Sequence, residues 1–97
     1  MKAIVNISEY ANMELEKDYQ LKTVEFFLTT FTKERDLKIF ESMLRNKSYD
    51  ATCNLLINTE EIIIKLKTKI AALVNDKVIT VKGSSIPKNC ILDVNFE

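Results

Sequence analysis

The chain contains one glycine, Gly83, and one proline, Pro87, and both fall in the segment 82–89. Glycine opens backbone conformations with positive φ and proline breaks helices, so a sequence nearly free of both has few obvious points at which to reverse. Long helices elsewhere and one hairpin at 82–89 are what this distribution predicts.

With 97 residues, 46% apolar and 29% charged, the chain suits one globular domain rather than a disordered or linker-rich segment. Histidine is absent, which excludes His-ligated zinc, Ser-His-Asp triads and Cys-His dyads. Cys53 and Cys90 form no CxxC pair, and two sulfurs do not complete a structural zinc site. They read as buried thiols, with a disulfide between them as the alternative that an oxidising compartment would favour. No apolar run of about 18 residues occurs, and Ala3-Ile4-Val5 is too short for a signal sequence, so a soluble cytoplasmic protein without membrane attachment is expected. Glu34 with Asp36 and Glu60 with Glu61 would diverge on a helix, and one glycine cannot supply a phosphate loop. Neither catalysis nor a metal or cofactor is therefore expected.

Along the chain, Lys2 to Ile7 reads as a strand and Ser8 as a helix cap. From Glu9 to Thr32 the apolar positions Tyr10, Met13, Leu21, Val24, Leu28 and Phe31 predict one bent helix or two short ones, broken near Lys17. The run Thr23 to Thr32 is rich in strand-favouring residues, and its 21/24/28/31 spacing favours helix over strand. A second helix follows Thr32 and ends near Asn46, with Leu37, Phe40, Met43 and Leu44 along its core face. Ser48 caps a short third helix from Tyr49 to about Leu56, whose Ala51, Leu55 and Leu56 could face the core. Thr59 caps a long fourth, from Glu60 to about Asp76, with the stripe Ile62, Leu66, Ile70 and Leu73. Val78 to Val81 and Cys90 to Phe96 then read as strands flanking the loop Lys82 to Asn89.

Fourteen basic and fourteen acidic residues cancel, but unevenly along the chain. Residues 1–25 hold three lysines against five acids, whereas residues 65–92 hold six lysines against Asp76 alone. The segment Ser48-Tyr-Asp-Ala-Thr-Cys-Asn-Leu-Leu-Ile-Asn-Thr-Glu-Glu-Ile resembles a helix, turn and helix start, and Leu73-Val-Asn-Asp-Lys-Val-Ile is similar to an exit into a wing. In that order of elements the chain resembles the winged helix-turn-helix DNA-binding superfamily, with the size of small regulators of the MarR and ArsR kind, plasmid replication proteins and TubR-like partition proteins.

The resemblance implies an α+β fold, mainly helical, with a C-terminal β-hairpin wing and an extra N-terminal strand and helix. Residues 1–32 would carry that extra strand and helix, and residues 33–97 the winged helix. The fourth helix would enter the major groove of double-stranded DNA. Lys65, Thr68 and Lys69, with Asn58 and Thr59 at the helix start, would touch phosphates and base edges, and Lys82, Ser84, Ser85 and Lys88 would form the wing tip. Phe26, Phe27, Leu28 and Phe31 would supply a homodimer face, or else fill the core. The function implied is a small dimeric regulator of transcription, replication or plasmid or phage partition. A protein-interaction module, such as a phage-borne inhibitor or adaptor that keeps the shape without using it on DNA, is the alternative, favoured by zero net charge and by Glu60 and Glu61.

Overall fold

The computed structural model describes residues 2–24 and 29–96. Its elements are β1 (Ala3–Ile7), a single helical turn α1 (Leu15–Asp18), the helix α2 (Thr29–Tyr49), then β2 (Cys53–Asn58), β3 (Ile62–Thr68), β4 (Ile70–Val74), β5 (Lys77–Thr80), β6 (Ser85–Pro87), a 3-10 turn at Lys88–Cys90, and β7 (Ile91–Phe96). Four strands form one sheet in the order β1-β3-β2-β7, with β1 parallel to β3 and the other pairs antiparallel. The strands β4, β5 and β6 form a second, antiparallel sheet.

This architecture corrects the winged-helix expectation. It is an α+β fold built mostly of strands, with one long helix. The third and fourth helices expected at Tyr49 to Leu56 and Glu60 to Asp76 are strands. The reason lies in alternation: Cys53, Leu55 and Ile57 point into the core, as do Ile64, Leu66 and Thr68, while Asn54, Leu56, Lys65 and Lys67 stand on the other side. A period of two with β-branched isoleucines suits a pleated strand paired on both edges, and that pairing overrode the weaker 62/66/70/73 helical spacing.

Among the described residues, all but one of the left-handed positions are occupied by residues other than glycine. Asn12, Asp50, Asn75 and Asp76 have φ between 50° and 59°, and their short polar side chains tolerate that region better than other non-glycine residues. Asp50 ends α2, its N–H bonded to the Asn46 carbonyl at 2.9 Å. Asn75 and Asp76 make the two-residue turn between β4 and β5, where Val74 pairs with Lys77. Thr59, expected as a helix cap, does closely related work in the β2–β3 hairpin, where its hydroxyl accepts the Ile62 N–H at 3.0 Å.

Among the described residues of the segment expected as helix from Glu9 to Thr32, only α1 and those from Thr29 onward are helical. Asn12 turns the chain and donates its N–H to the Lys82 carbonyl, and α1 ends where Tyr19 becomes extended. Leu21 then bridges to Thr59, and the Val24 N–H reaches Asn89. These bonds to remote backbone replace the ones a helix would supply.

The core is one cluster of buried residues drawn from both sheets and the helices. Leu55, Ile57, Ile64, Leu66, Ile91 and Val94 come from the first sheet, Ile70, Val78 and Ile86 from the second, with Leu15 and Ile39 beneath the helices. Fully burying side chains of this size contributes about 1.5–3 kcal/mol each. No helix among the described residues is long and apolar enough to cross a membrane.

Candidate functional site

α2 places its less apolar face inward. Arg35, Ile39 and Ser42 are buried, spaced three and four apart on one side. Leu37, Phe40 and Leu44, expected as core, face solvent with 68%, 56% and 50% of their surface exposed. The helix carries apolar residues on two faces, and only one of them fits against β4 and β7. The inward face is held by specific polar bonds: the Arg35 guanidinium reaches the Ile91 carbonyl at 3.4 Å and pairs with Asp36 at 3.0 Å, and Asn46 donates to the Ile70 carbonyl at 3.3 Å. Arg45 lies 4.2 Å over the Phe96 ring, and Lys38 pairs with Asp93 at 3.0 Å. These contacts fix which way the helix is turned and leave its more apolar stripe outside.

Beside that stripe, Phe40, Met43, Leu44 and Lys47 of α2 and Ala71 of β4 line an open groove of about 380 Å³. An amphipathic helix normally buries its apolar stripe, and this one exposes it beside a groove.

A second feature is the clip at Glu9, just after β1. Its buried carboxylate accepts the Thr68 hydroxyl at 2.5 Å and the Thr80 hydroxyl at 2.6 Å, and Thr80 in turn accepts the Ser84 N–H at 3.0 Å. Thr68 ends β3 and Thr80 ends β5, so one carboxylate joins the two sheets. Lys67, Lys69 and Lys82 border the adjoining cleft of about 210 Å³. Both carboxylate oxygens are engaged as acceptors, an arrangement suited to holding structure in place.

The residues expected to meet DNA are therefore distributed differently. Lys67, Lys69 and Lys82 share one cleft, with Lys65 two residues along the outward side of β3. Lys69 pairs with Asp50 at 2.8 Å, and the Lys82 ammonium donates to the Glu9 carbonyl at 3.0 Å. Thr59, Thr68 and Ser84 are buried. Asn58 accepts a bond from Lys2 at 2.8 Å at the far end of the β2–β3 hairpin. Ser85 is half-buried on β6, and Lys88 sits between Asp36 and Asp76 at 3.4 and 3.7 Å. No recognition helix gathers these side chains, because β3 and β4 occupy its expected place, and the expected wing is absent because β6 lies within the expected loop 82–89 and pairs with β5, while β7 pairs with β2 in the other sheet. Of the four residues expected at a dimer face, Phe26, Phe27 and Leu28 lie outside the described residues, and Phe31 is half-buried at the start of α2. No group of three or more acidic or thiol side chains among the described residues is placed to hold a metal ion.

Burial pushes the Cys90 thiol above its ordinary value of 9.0, while a hydrogen bond with Thr23 works downward and Glu16 adds a smaller upward push. Both cysteines are buried, and neither is in a disulfide. Comparison with protein-family models, with curated proteins and with solved structures finds no match to this chain.

Proposed function

We propose that this chain is a non-catalytic protein-association module whose working surface is the outward face of α2. The observation that carries the reading is the inverted placement of that helix: Leu37, Phe40 and Leu44 are half-exposed or more while Arg35 and Ser42 are buried. Scattered single apolar residues on a surface are ordinary, but three at helical spacing beside an apolar groove form a contiguous patch of the kind that proteins cover by binding.

The test is a photoreactive phenylalanine at position 40, compared with the same group at exposed Lys17. In cells expressing the chain, irradiation is expected to give protein adducts, including any formed with another copy of the chain, from position 40 and not from position 17. Equal or absent adducts at the two positions would overturn the reading.

A second reading, binding of a nucleic-acid backbone as a regulator of transcription, replication or partition, is favoured by one observation, the convergence of Lys67, Lys69 and Lys82 on a single cleft with Lys65 nearby. Phosphate contacts of this kind would make affinity for a duplex fall steeply with salt. Fluorescence anisotropy at two salt concentrations, with Lys65→Glu and Lys82→Glu beside the unaltered chain, tests it; binding that ignores both salt and the substitutions would count against it.

A further inference from the structure

The exposed stripe of α2 has oppositely charged flanks. With 3.6 residues per turn, Leu37 and Leu44 define the middle of the exposed face, Glu34 and Glu41 stand on one side of that line, and Lys33, Phe40 and Lys47 stand on the other. All seven side chains are exposed. The basic flank borders the groove against β4, since Phe40 and Lys47 line that groove together with Ala71. Glu41 pairs with Arg45 at 3.0 Å on its own helix, whereas Lys33, Glu34 and Lys47 form no ion pair among the described residues.

A helix of this surface chemistry is complementary to itself in one orientation only. Two copies packed side by side and antiparallel across a two-fold axis keep each flank opposite its own kind. Lys33 would then face Lys47 of the second copy at nearly the same height, twice over, and the two Glu41 residues would meet near the axis. Two copies packed in parallel exchange the flanks. Each Glu34 then lies beside Lys33 of the other copy, one residue's rise or about 1.5 Å apart along the axis, and Leu37 meets Leu37 and Leu44 meets Leu44.

We propose that the occupant of the α2 face is a second copy of this chain, its α2 parallel to the first across a two-fold axis. The inference rests on the reading of this face as an association surface and names its partner. Three large apolar side chains per copy make a small contact, so the dimer forms at micromolar rather than nanomolar concentrations.

Disulfide trapping tests the orientation. Leu37→Cys and Leu44→Cys each place a thiol on the exposed stripe, and the native Cys53 and Cys90 are buried. On mild oxidation each variant alone is expected to form a covalent dimer, 37 to 37 and 44 to 44. If neither cross-links alone and only the mixture of the two does, the helices are antiparallel and the proposal fails. Sedimentation velocity supplies the second arm. The unaltered chain is expected to show a concentration-dependent dimer, weakened about five- to tenfold by Lys33→Glu or Glu34→Lys alone and restored when both are combined, because the double exchange returns opposite charges to each pair. A chain that stays monomeric to several hundred micromolar overturns the proposal. The photoadducts from position 40 then separate the two failures: adducts with a different protein leave the association surface standing with another partner, and no adducts remove the surface as well.

Discussion

The Glu9 carboxylate receives the Thr68 hydroxyl on one oxygen, at 2.5 Å, and a second hydroxyl, from Thr80, on the other. This places a charged group inside the protein at the point where β3 gives way to β4 through Lys69, whose carbonyl accepts the Val81 N–H at 2.9 Å. Removing the carboxylate leaves two buried hydroxyls without their acceptor. Glu9→Ala is expected to lower the unfolding free energy by about 2–3 kcal/mol, within the range for hydrogen bonds to a charged group. Thr68→Val and Thr80→Val should each have a smaller effect. Urea denaturation of the three variants checks this, and Glu9→Ala at wild-type stability would refute the clip.

The orientation of α2 makes an unusual contrast testable. Leu37→Gln and Leu44→Gln, on the outward face, are expected to change monomer stability by less than about 0.5 kcal/mol. Ile39→Ala, on the inward face, removes a fully buried side chain and is expected to lower it by about 2–4 kcal/mol. Thermal and urea melts at low protein concentration distinguish the two faces; a large loss from Leu44→Gln would mean that this side chain is packed in the folded monomer.

Gly83 has φ of 95°, and a methyl group there would approach Asn12 Oδ1 to 2.6 Å. The Asn12 side chain can yield, but the backbone conformation cannot be adopted cheaply by alanine. Gly83→Ala is expected to cost about 1–2 kcal/mol. Adding Asn12→Ala should recover little of that loss, because φ rather than the contact dominates. Full recovery in the double variant would assign the cost to the contact instead.

The raised Cys90 thiol gives a pH dependence with a definite sign. In the unfolded chain the thiol ionises near its ordinary value of 9.0, while burial keeps the folded form protonated to higher pH. The unfolded state therefore binds fewer protons in that window, and the stability contributed by Cys90 is complete below 9.0 and is lost as pH rises above it toward the folded value. Urea midpoints between pH 8 and pH 10.5 should fall less steeply for Cys90→Ala than for the unaltered chain. Identical slopes would show that this thiol plays no part.

Much of the local structure is legible in the sequence where one signal dominates. The strand at Lys2 to Ile7, the body of α2 and the strands beginning near Val78 and Cys90 follow from β-branched runs, helix-forming residues and the position of Gly83. The segment 53–74 was not legible by the same rules. Ile62, Leu66, Ile70 and Leu73 satisfy a helical period while Ile62, Ile64, Leu66, Thr68 and Ile70 satisfy a strand period, and local spacing cannot choose between them. Long-range pairing chooses, with β2 on one side of β3 and β1 on the other. The Asn75-Asp76 pair and Asp50 are the local cues to these reversals, since asparagine and aspartate replace the glycine that turns ordinarily show. The outward face of α2 was half legible. Leu37, Phe40, Met43 and Leu44 read as one core-facing stripe, yet of these only Met43 packs against the core, beside Ile39, and the choice depends on bonds from Arg35 and Asn46 to strands remote in sequence. Glu9 carried no signal, because its partners Thr68 and Thr80 are 59 and 71 residues away.

The parallel register of β1 with β3 sets Ala3 opposite Ile62, so during synthesis β1 leaves the ribosome 59 residues ahead of the strand that completes it. At translation rates of about 5–20 residues per second, Ile4 and Val5 wait roughly 3–12 seconds for their neighbours. The nascent chain therefore carries an unsatisfied strand while those residues are made, β1 joins the first sheet only after the β2–β3 hairpin exists to receive it, and β7 fills the opposite edge later still.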